Sequence, residues 1–197
     1  MGGIVAVTGR RLRDALVGAG MLFLALLIIA KLENAQAIRT RGPFVVVDGD
    51  TLTEEGRRLR INGIDAPELG QMCDRPSGSY DCGMAARAGL VLLLKGAPVE
   101  CSGQEDDEDR YGRLLVTCLK GAVDLGHEMV AAGLAVANGD YHMAELRARK
   151  AGYGIWAGSF ERPEDWRRLQ RLEAREPGGW SQTLTFDALG RWFRGSD

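Results

Sequence analysis

Alternating apolar and polar residues near position 60 limit most strongly how this chain can fold. Leu59 and Ile61 flank Arg60, and successive side chains of a strand point to opposite faces of the sheet. The two apolar side chains are therefore expected to face a core, with Arg60 on the opposite side. Residues 44–47 predict an earlier strand, and residues 54–56 predict a turn. This part of the chain is expected to form a β-meander.

The later sequence adds helices and two further strands. Apolar spacing and capping signals such as Asp124 mark the ends of these elements. The predicted helices cover residues 83–95, 124–132, 143–151 and 163–175, and the predicted strands cover residues 99–101 and 114–119. With a strand that begins at Leu52, the chain has five short predicted strands and a helix between the third and the fourth. This order predicts an α+β, mainly β, fold built on a small Greek-key barrel.

The N-terminus has the composition of an export signal. Arginines at positions 10, 11 and 13 precede an apolar run at residues 15–30, and a small-x-small peptidase site ends at Ala37. Sixteen apolar residues are fewer than the roughly 20 that span a bilayer but more than the about 7 to 15 of a signal core. Cleavage after Ala37, which gives a periplasmic or secreted domain, and retention as an inner-membrane anchor both stay open. Either outcome places the domain outside the cytoplasm.

These features divide the chain into four parts. Residues 1–37 are the signal peptide or anchor, residues 38–43 a linker, residues 44–167 the folded domain and residues 168–197 a C-terminal extension of unassigned role. The domain carries 14 basic and 21 acidic residues, so its overall charge opposes the binding of a polyanion. Any nucleic-acid binding must therefore depend on a local site.

All four cysteines lie between residues 73 and 118, which fits an oxidising compartment. We favour the pairing of Cys73 with Cys82, which bracket a loop, and of Cys101 with Cys118, which lie at opposite ends of a predicted hairpin. Four cysteines permit three pairings, and the sequence alone does not choose among them. A zinc site is disfavoured because no Cys-x-x-Cys spacing occurs.

Two acidic motifs predict a site for a hard metal ion. Asp48 and Asp50 lie two residues apart, so their carboxylates project to the same side of an extended segment. Carboxylate oxygens suit calcium or magnesium. Because the residue before a proline is held extended, the Ala66 carbonyl can join Asp65 as a ligand, with Glu68 placed to take a proton from an attacking water. Each motif taken alone is more typical of an ordinary turn.

A second arginine follows in the motif DRYGR at residues 109–113. A guanidinium presents a planar fork of donors that matches phosphate oxygens and keeps its charge at any working pH. Arg60 and Arg113 can therefore hold a phosphodiester and stabilise the charge of its transition state. In isolation, Arg113 is more typical of an exposed hairpin end.

In order and approximate spacing, the motifs DGDT at residues 48–51, RINGIDAPE at residues 60–68 and DRYGR at residues 109–113 resemble the staphylococcal nuclease (thermonuclease) family. The resemblance covers roughly residues 44–160. It implies an OB-fold five-stranded barrel with about three packed helices. It also implies the binding of one calcium ion and the cleavage of DNA or RNA phosphodiester bonds to leave 3′-phosphates.

The resemblance further implies a role for each matching position. The calcium ligands would be the side chains of Asp50 and Asp65 and the backbone carbonyl of Ala66, with Asp48 supporting them. The catalytic residues would be Glu68, as general base toward the attacking water, and Arg60 and Arg113, which would grip the phosphate.

Some features depart from the family pattern. Five acids at residues 105–109 would repel a polyanion or attract further calcium, and Tyr141 is only a loose match to the tyrosines that contact the nucleotide. The cysteine-bearing insert at residues 71–83 resembles an exported bacterial branch, some of whose members are named for exopolysaccharide synthesis.

A nucleic acid is the expected substrate. The membrane is a partner if the N-terminal segment is uncleaved, and no obligate protein partner is inferred. The alternative is a non-catalytic binding module on the same barrel.

Overall fold

The computed structural model of the chain describes residues 4–35 and 37–174. They divide into two compact units, one that ends at Phe160 and a second that starts at Glu161. The second unit thus begins before the domain boundary expected at residue 167. Most of the predicted C-terminal extension, residues 175–197, lies outside the described residues.

The fold is α+β with a sheet-rich core. The helices are α1 (Ile4–Ala35), α2 (Cys82–Leu94), α3 (Leu125–Ala131), α4 (His142–Ala151) and α5 (Pro163–Glu173), with a 3₁₀ turn at Gly154–Ala157. The strands are β1 (Ala37–Thr40), β2 (Val45–Val46), β3 (Thr51–Glu54), β4 (Arg57–Ile61), β5 (Ile64–Asp65), β6 (Met72–Cys73), β7 (Tyr80–Asp81), β8 (Glu100–Gln104), β9 (Leu114–Lys120), β10 (Val123–Asp124) and β11 (Val136–Ala137).

One seven-stranded sheet supplies most of the architecture. Its strand order is β1-β8-β9-β4-β3-β2, with β10 added to β9. β4 and β9 pair in parallel, whereas the other pairs are antiparallel. Two small antiparallel pairs, β5 with β11 and β6 with β7, lie outside this order. This arrangement agrees with the expected OB-like class, although the described strands show no pairing that closes the sheet into a barrel.

The alternation predicted for β4 is present. Leu59 and Ile61 are almost completely buried in the core, whereas Arg60 points to the other face. Leu90 of α2 and Met129 of α3 pack into the same core. The predicted cap also forms, because the Asp124 side chain accepts hydrogen bonds from the first backbone N–H groups of α3. The core therefore holds β4 rigidly, with Arg60 on its outer side.

The predicted linker at residues 38–43 is partly wrong. Ala37–Thr40 form β1, which pairs with β8 from Ala37 opposite Gln104 to Thr40 opposite Cys101. Without β1, that side of β8 would expose a row of unpaired backbone groups, and Ile38 also packs on the core. The folded domain therefore begins earlier in the chain than residue 44.

Both favoured disulfides are present. Cys101 and Cys118 face each other in β8 and β9 and join these strands across the core. Cys73 and Cys82 close the hairpin of β6 and β7 against the start of α2. The described residues contain no free cysteine.

The terminal helices match their predictions in kind. α1 contains a segment, Gly9–Lys31, that is long and apolar enough to cross a membrane, and a signal sequence near an N-terminus has the same properties. α5 starts with Pro163 in its first turn, a position at which the missing proline N–H leaves no hydrogen bond unmade. It ends at Glu173 rather than at residue 175.

Two leucines in neighbouring strands test this account of the core. Leu59 of β4 is fully buried, whereas Leu119 of β9 is 40% exposed. Leu59→Ala is expected to lower the free energy of unfolding by about 2–5 kcal/mol because it leaves a cavity, whereas Leu119→Ala is expected to cost about 1 kcal/mol or less. Urea unfolding of both variants measures the difference, and equal losses would contradict the assignment of faces in the sheet.

Candidate active site

Arg60 lies at the centre of a buried ionic cluster. Its Nη1 is 2.7 Å from Oδ1 of Asp50, and its Nη2 is 2.8 Å from Oδ1 of Asp65. Nη2 also donates to the backbone carbonyl of Ile64 at 3.3 Å. The guanidinium thus joins the loop before β3 to β5. The structure brings together three residues that the sequence had placed in one site.

The loop that carries Asp50 is held by backbone contacts. Oδ1 of Asp48 accepts the Asp50 N–H at 3.0 Å, and Oδ2 of Asp50 accepts the Ala66 N–H at 3.1 Å. Gly49 allows the close approach, because a Cβ added there would lie 2.6 Å from the Ala66 Cβ. Asp48 therefore orients the loop, whereas Asp50 points into the cluster.

The segment after Asp65 is fixed by strand pairing. β5 pairs with β11, which places Asp65 opposite Val136. Ala66 and Pro67 are buried, and Glu68 is half-buried directly after them. Glu68 thus follows Asp65 by three residues, at the edge of the buried segment.

Arg113 reaches the same cluster through a threonine. Its Nη1 donates to Oγ1 of Thr51 at 3.2 Å, and the Thr51 hydroxyl donates to Oδ1 of Asp50 at 2.9 Å. On its other side, Arg113 Nη2 lies 2.6 Å from Oδ2 of Asp109. Thr51 is fully buried, so this chain of hydrogen bonds is shielded from water. The sequence had given Thr51 and Asp109 no role.

Burial sets the protonation behaviour of the acids. Desolvation raises the pKa of Asp50 above its ordinary value, and the nearby Asp48 and Asp65 add to this rise, whereas Arg60 acts against it. Desolvation also acts to raise the pKa of Asp109, but hydrogen bonds from Arg113 outweigh it, and the Asp109 pKa is lowered. Burial therefore disfavours the charged form of Asp50, whereas hydrogen bonds stabilise the charged form of Asp109.

The donor set fits a calcium ion in chemical type. Two buried carboxylates, Asp50 and Asp65, approach one guanidinium, and the backbone of Ala66 adjoins Asp50. Carboxylate and carbonyl oxygens are the ligands that a hard divalent cation prefers. Among the described residues, no group of three or more His, Cys, Asp or Glu side chains is arranged to hold a metal ion; the implied set has only two acidic side chains.

Tyr141, the loosely matched tyrosine, makes a structural contact. Its hydroxyl donates to Oδ2 of Asp124 at 2.9 Å, and its ring lies about 3.0 Å from Cβ positions built on Gly63 and Gly126. Burial raises the Tyr141 pKa, and the contact with Asp124 adds to the rise. Tyr141 therefore links α4 to the capped start of α3.

Tyr111 is a stronger aromatic candidate that the sequence reasoning missed. Its ring is 54% exposed, and the guanidinium carbons of Arg110 and Arg113 lie 4.9 and 5.4 Å from its centroid. An exposed ring beside an arginine that can bind phosphate offers a surface on which a base can stack. The signal was its place in the motif DRYGR, next to Arg113.

Comparisons with known proteins show which family the sequence matches. A sequence model described as Staphylococcal nuclease homologue matches residues 58–158. The Succinoglycan biosynthesis protein ExoI of Rhizobium meliloti (strain 1021) is 33% identical over 77% of this chain and 85% of its own length. The Probable staphylococcal-like nucleases CAN2 and CAN1 of Oryza sativa subsp. japonica are 33% and 28% identical over 58% and 62% of this chain. The alignments cover only 30% and 36% of those two rice proteins.

The lowered pKa of Asp109 predicts an acid-sensitive contact. A carboxyl whose folded pKa lies below its ordinary 3.8 stabilises the fold above that pH, and this stabilisation is lost as pH falls through the folded pKa. The melting-temperature gap between wild type and Asp109→Asn is therefore expected to be constant from about pH 7 to 5 and to close below about pH 4. Thermal scans measure it, with exposed Asp106→Asn as the control. A gap that persists at about pH 2 would contradict the contact.

Proposed function

Because this chain belongs to the staphylococcal nuclease family, we propose that its domain is a calcium-dependent phosphodiesterase. It hydrolyses DNA or RNA by attack of water on phosphorus and leaves 3′-phosphates. The observation that carries the proposal is the convergence of Arg60 and Arg113 on Asp50, directly through an ion pair and indirectly through Thr51.

The two arginines are the phosphate-binding groups of the proposed site. Their side chains are only 12% and 13% exposed, and their carboxylate partners fix the direction of each guanidinium. A donor oriented in advance needs little reorganisation when charge builds on the phosphate oxygens. Arg60 and Arg113 therefore supply both binding and stabilisation of the transition state.

Asp50, Asp65 and the Ala66 carbonyl are the groups that would hold the cation. When bound, the cation would polarise a phosphoryl oxygen and lower the pKa of a coordinated water. Asp48 and Gly49 hold the loop so that the Asp50 carboxylate stays in the cluster. Arg60 compensates the same carboxylates from the other side.

Glu68 is the proposed general base. It follows Asp65 by three residues and is half-buried, so water can reach it, and we place its carboxylate toward the cluster. It takes a proton from the attacking water as the water oxygen bonds to phosphorus. The phosphorus bond to the 5′-oxygen then breaks, and that oxygen takes a proton from solvent to leave as a hydroxyl group. Tyr111 lies beside Arg113 with an exposed face, and we assign to it the stacking of a neighbouring base.

We place this activity outside the cytoplasm. The N-terminal helix has the length and composition of a signal or an anchor, and both disulfides suit an oxidising compartment. Cleavage of the segment would release the domain to the periplasm or the medium, and retention would keep it at the membrane.

A binding module without catalysis is the second candidate. The printed name of ExoI refers to succinoglycan biosynthesis rather than to nuclease activity, and the domain carries an excess of acidic residues. A pure binding module has no need for a carboxylate at Glu68 beside two buried aspartates. Binding of a nucleic acid without its cleavage in calcium would distinguish this candidate from a nuclease.

Calcium dependence is the first expected result. The folded full-length chain in detergent should degrade single-stranded DNA or RNA in the presence of calcium and lose that activity with a chelator, because the proposed ligands then lack their cation. Release of 3′-phosphate ends is the measurement. Binding of the polymer without cleavage would favour the second candidate, and neither binding nor cleavage would refute both.

Removal of single groups should separate their roles. Glu68→Gln is expected to lower kcat by about 10²–10⁴-fold, and Arg113→Ala by about 10²–10³-fold. Arg57→Ala, an exposed change in the same strand as Arg60, serves as the control and should change kcat little. Melting temperatures should show that the variants are folded. An unaltered rate in Glu68→Gln would refute its role as base.

A further inference from the structure

Gln71 is a fully buried amide in an otherwise exposed loop. Its neighbours Gly70 and Met72 are exposed, whereas Gln71 has no accessible surface. A buried amide costs free energy unless its polar atoms are hydrogen-bonded. The side-chain Oε1 of Gln71 accepts the Glu68 N–H at 3.1 Å, and the backbone N–H of Gln71 donates to the Glu68 carbonyl at 2.9 Å. Both contacts end on the backbone of Glu68.

The backbone of Gln71 is in turn fixed to the start of α2. The Cys82 N–H donates to the Gln71 carbonyl at 3.0 Å. The Cys73–Cys82 disulfide closes the hairpin of β6 and β7, and it joins β6, which directly follows Gln71, to the first residue of α2. Asp81 caps α2 by accepting the Met84 N–H at 2.8 Å. Gln71 is thus attached to a capped helix by a hydrogen bond and by a covalent link.

The first turn of α2 also packs directly on Glu68. A Cβ added to Gly83 would lie 1.8 Å from the Glu68 carbonyl oxygen. Since real Cβ atoms do not approach this closely, only glycine permits the contact. The backbone of Glu68 is therefore confined between Gln71 on one side and the helix on the other.

The far end of the hairpin is attached to a different part of the domain. The Asp74 N–H donates to the Ser159 carbonyl at 2.9 Å, and the Ser159 hydroxyl donates to Oδ2 of Asp74 at 3.1 Å. A hairpin held at both ends has little freedom to shift. It can therefore act as a rigid support for the residue that precedes it.

We propose that Gln71 is a positioning residue for Glu68, and that the disulfide-closed hairpin of β6 and β7 holds Gln71 in place. The inference rests on the proposed function, in which Glu68 is the general base. A misplacement of a catalytic group by about 1 Å can cost about 10²-fold in rate. Two bonds from Gln71 and the contact with Gly83 fix the backbone from which the Glu68 carboxylate extends.

Amide hydrogen exchange tests the positioning without any activity. The Glu68 N–H is expected to exchange at least about tenfold faster in Gln71→Met, which keeps the side-chain size but removes the acceptor. The Ile61 N–H, which donates to the Asp50 carbonyl at 2.8 Å, is the internal control and should not change. Unchanged exchange at Glu68 would overturn the proposal even if the full-length chain proved to be inactive.

Kinetics on the full-length chain test the consequence for turnover. Gln71→Met is expected to lower kcat by about 10–100-fold, with unchanged KM for single-stranded DNA and unchanged calcium dependence. In a Glu68→Gln background, the same replacement should lower kcat by less than about twofold, because the base is already absent. Equal losses in both backgrounds would show a merely structural role and overturn the proposal. If Gln71→Met does not fold, Gln71→Asn, which retracts the amide by one methylene, replaces it.

The two disulfides provide a matched pair for the role of the hairpin. The double change Cys73→Ser and Cys82→Ser is expected to lower kcat as Gln71→Met does, because the hairpin is no longer closed. The double change Cys101→Ser and Cys118→Ser should lower the melting temperature but leave kcat near the wild-type value. Equal kcat losses from both pairs would overturn the assignment to the hairpin. A fully inactive wild type with fast Glu68 exchange in Gln71→Met would refute the proposed function but support the positioning.

Discussion

One buried guanidinium determines how the rest of the site is arranged. Arg60 pairs with Asp50 and Asp65 at 2.7 and 2.8 Å, and all three side chains are at least 88% buried. Moving such charges out of water costs several kcal/mol for each ion, and only close geometry with additional hydrogen bonds offsets that cost. Neither the Asp50 loop nor β5 can shift without leaving a buried charge uncompensated. The buried core under β4 thereby fixes the positions of both segments.

The acidic loop before β9 takes on a structural meaning in this arrangement. The last of its five acids, Asp109, forms an ion pair with Arg113, and the Asp107 carbonyl accepts the Leu115 N–H at 2.9 Å. The loop therefore anchors the start of β9 and aims Arg113 toward Thr51. The remaining acids are exposed and act on a polyanion only through screened, longer-range repulsion. A domain with excess negative charge can in this way still present a local phosphate-binding arrangement.

Sequence patterns predicted the elements that depend on local rules. The alternation around Arg60, the cap at Asp124 and the end of α4 at residue 151 all appear as expected. Contacts between distant segments were less accessible: β1 exists because the edge of β8 needs a partner, and nothing in residues 37–40 alone signals a strand. The roles of Gln71 and Thr51 depend on burial and on hydrogen bonds that no spacing rule reveals. The contact of Tyr141 with Asp124 joins residues 17 positions apart and is likewise set by the fold.

The first strand has a consequence for the maturation of this protein. α1 ends at Ala35 and β1 begins at Ala37, so the peptidase site predicted from the sequence coincides with the first residue of a paired strand. A protease binds its substrate as an extended segment, and backbone groups already bonded within a sheet are not available to it until they open locally. Cleavage after Ala37 would therefore require that β1 is not yet paired with β8, or that this end of the sheet opens locally.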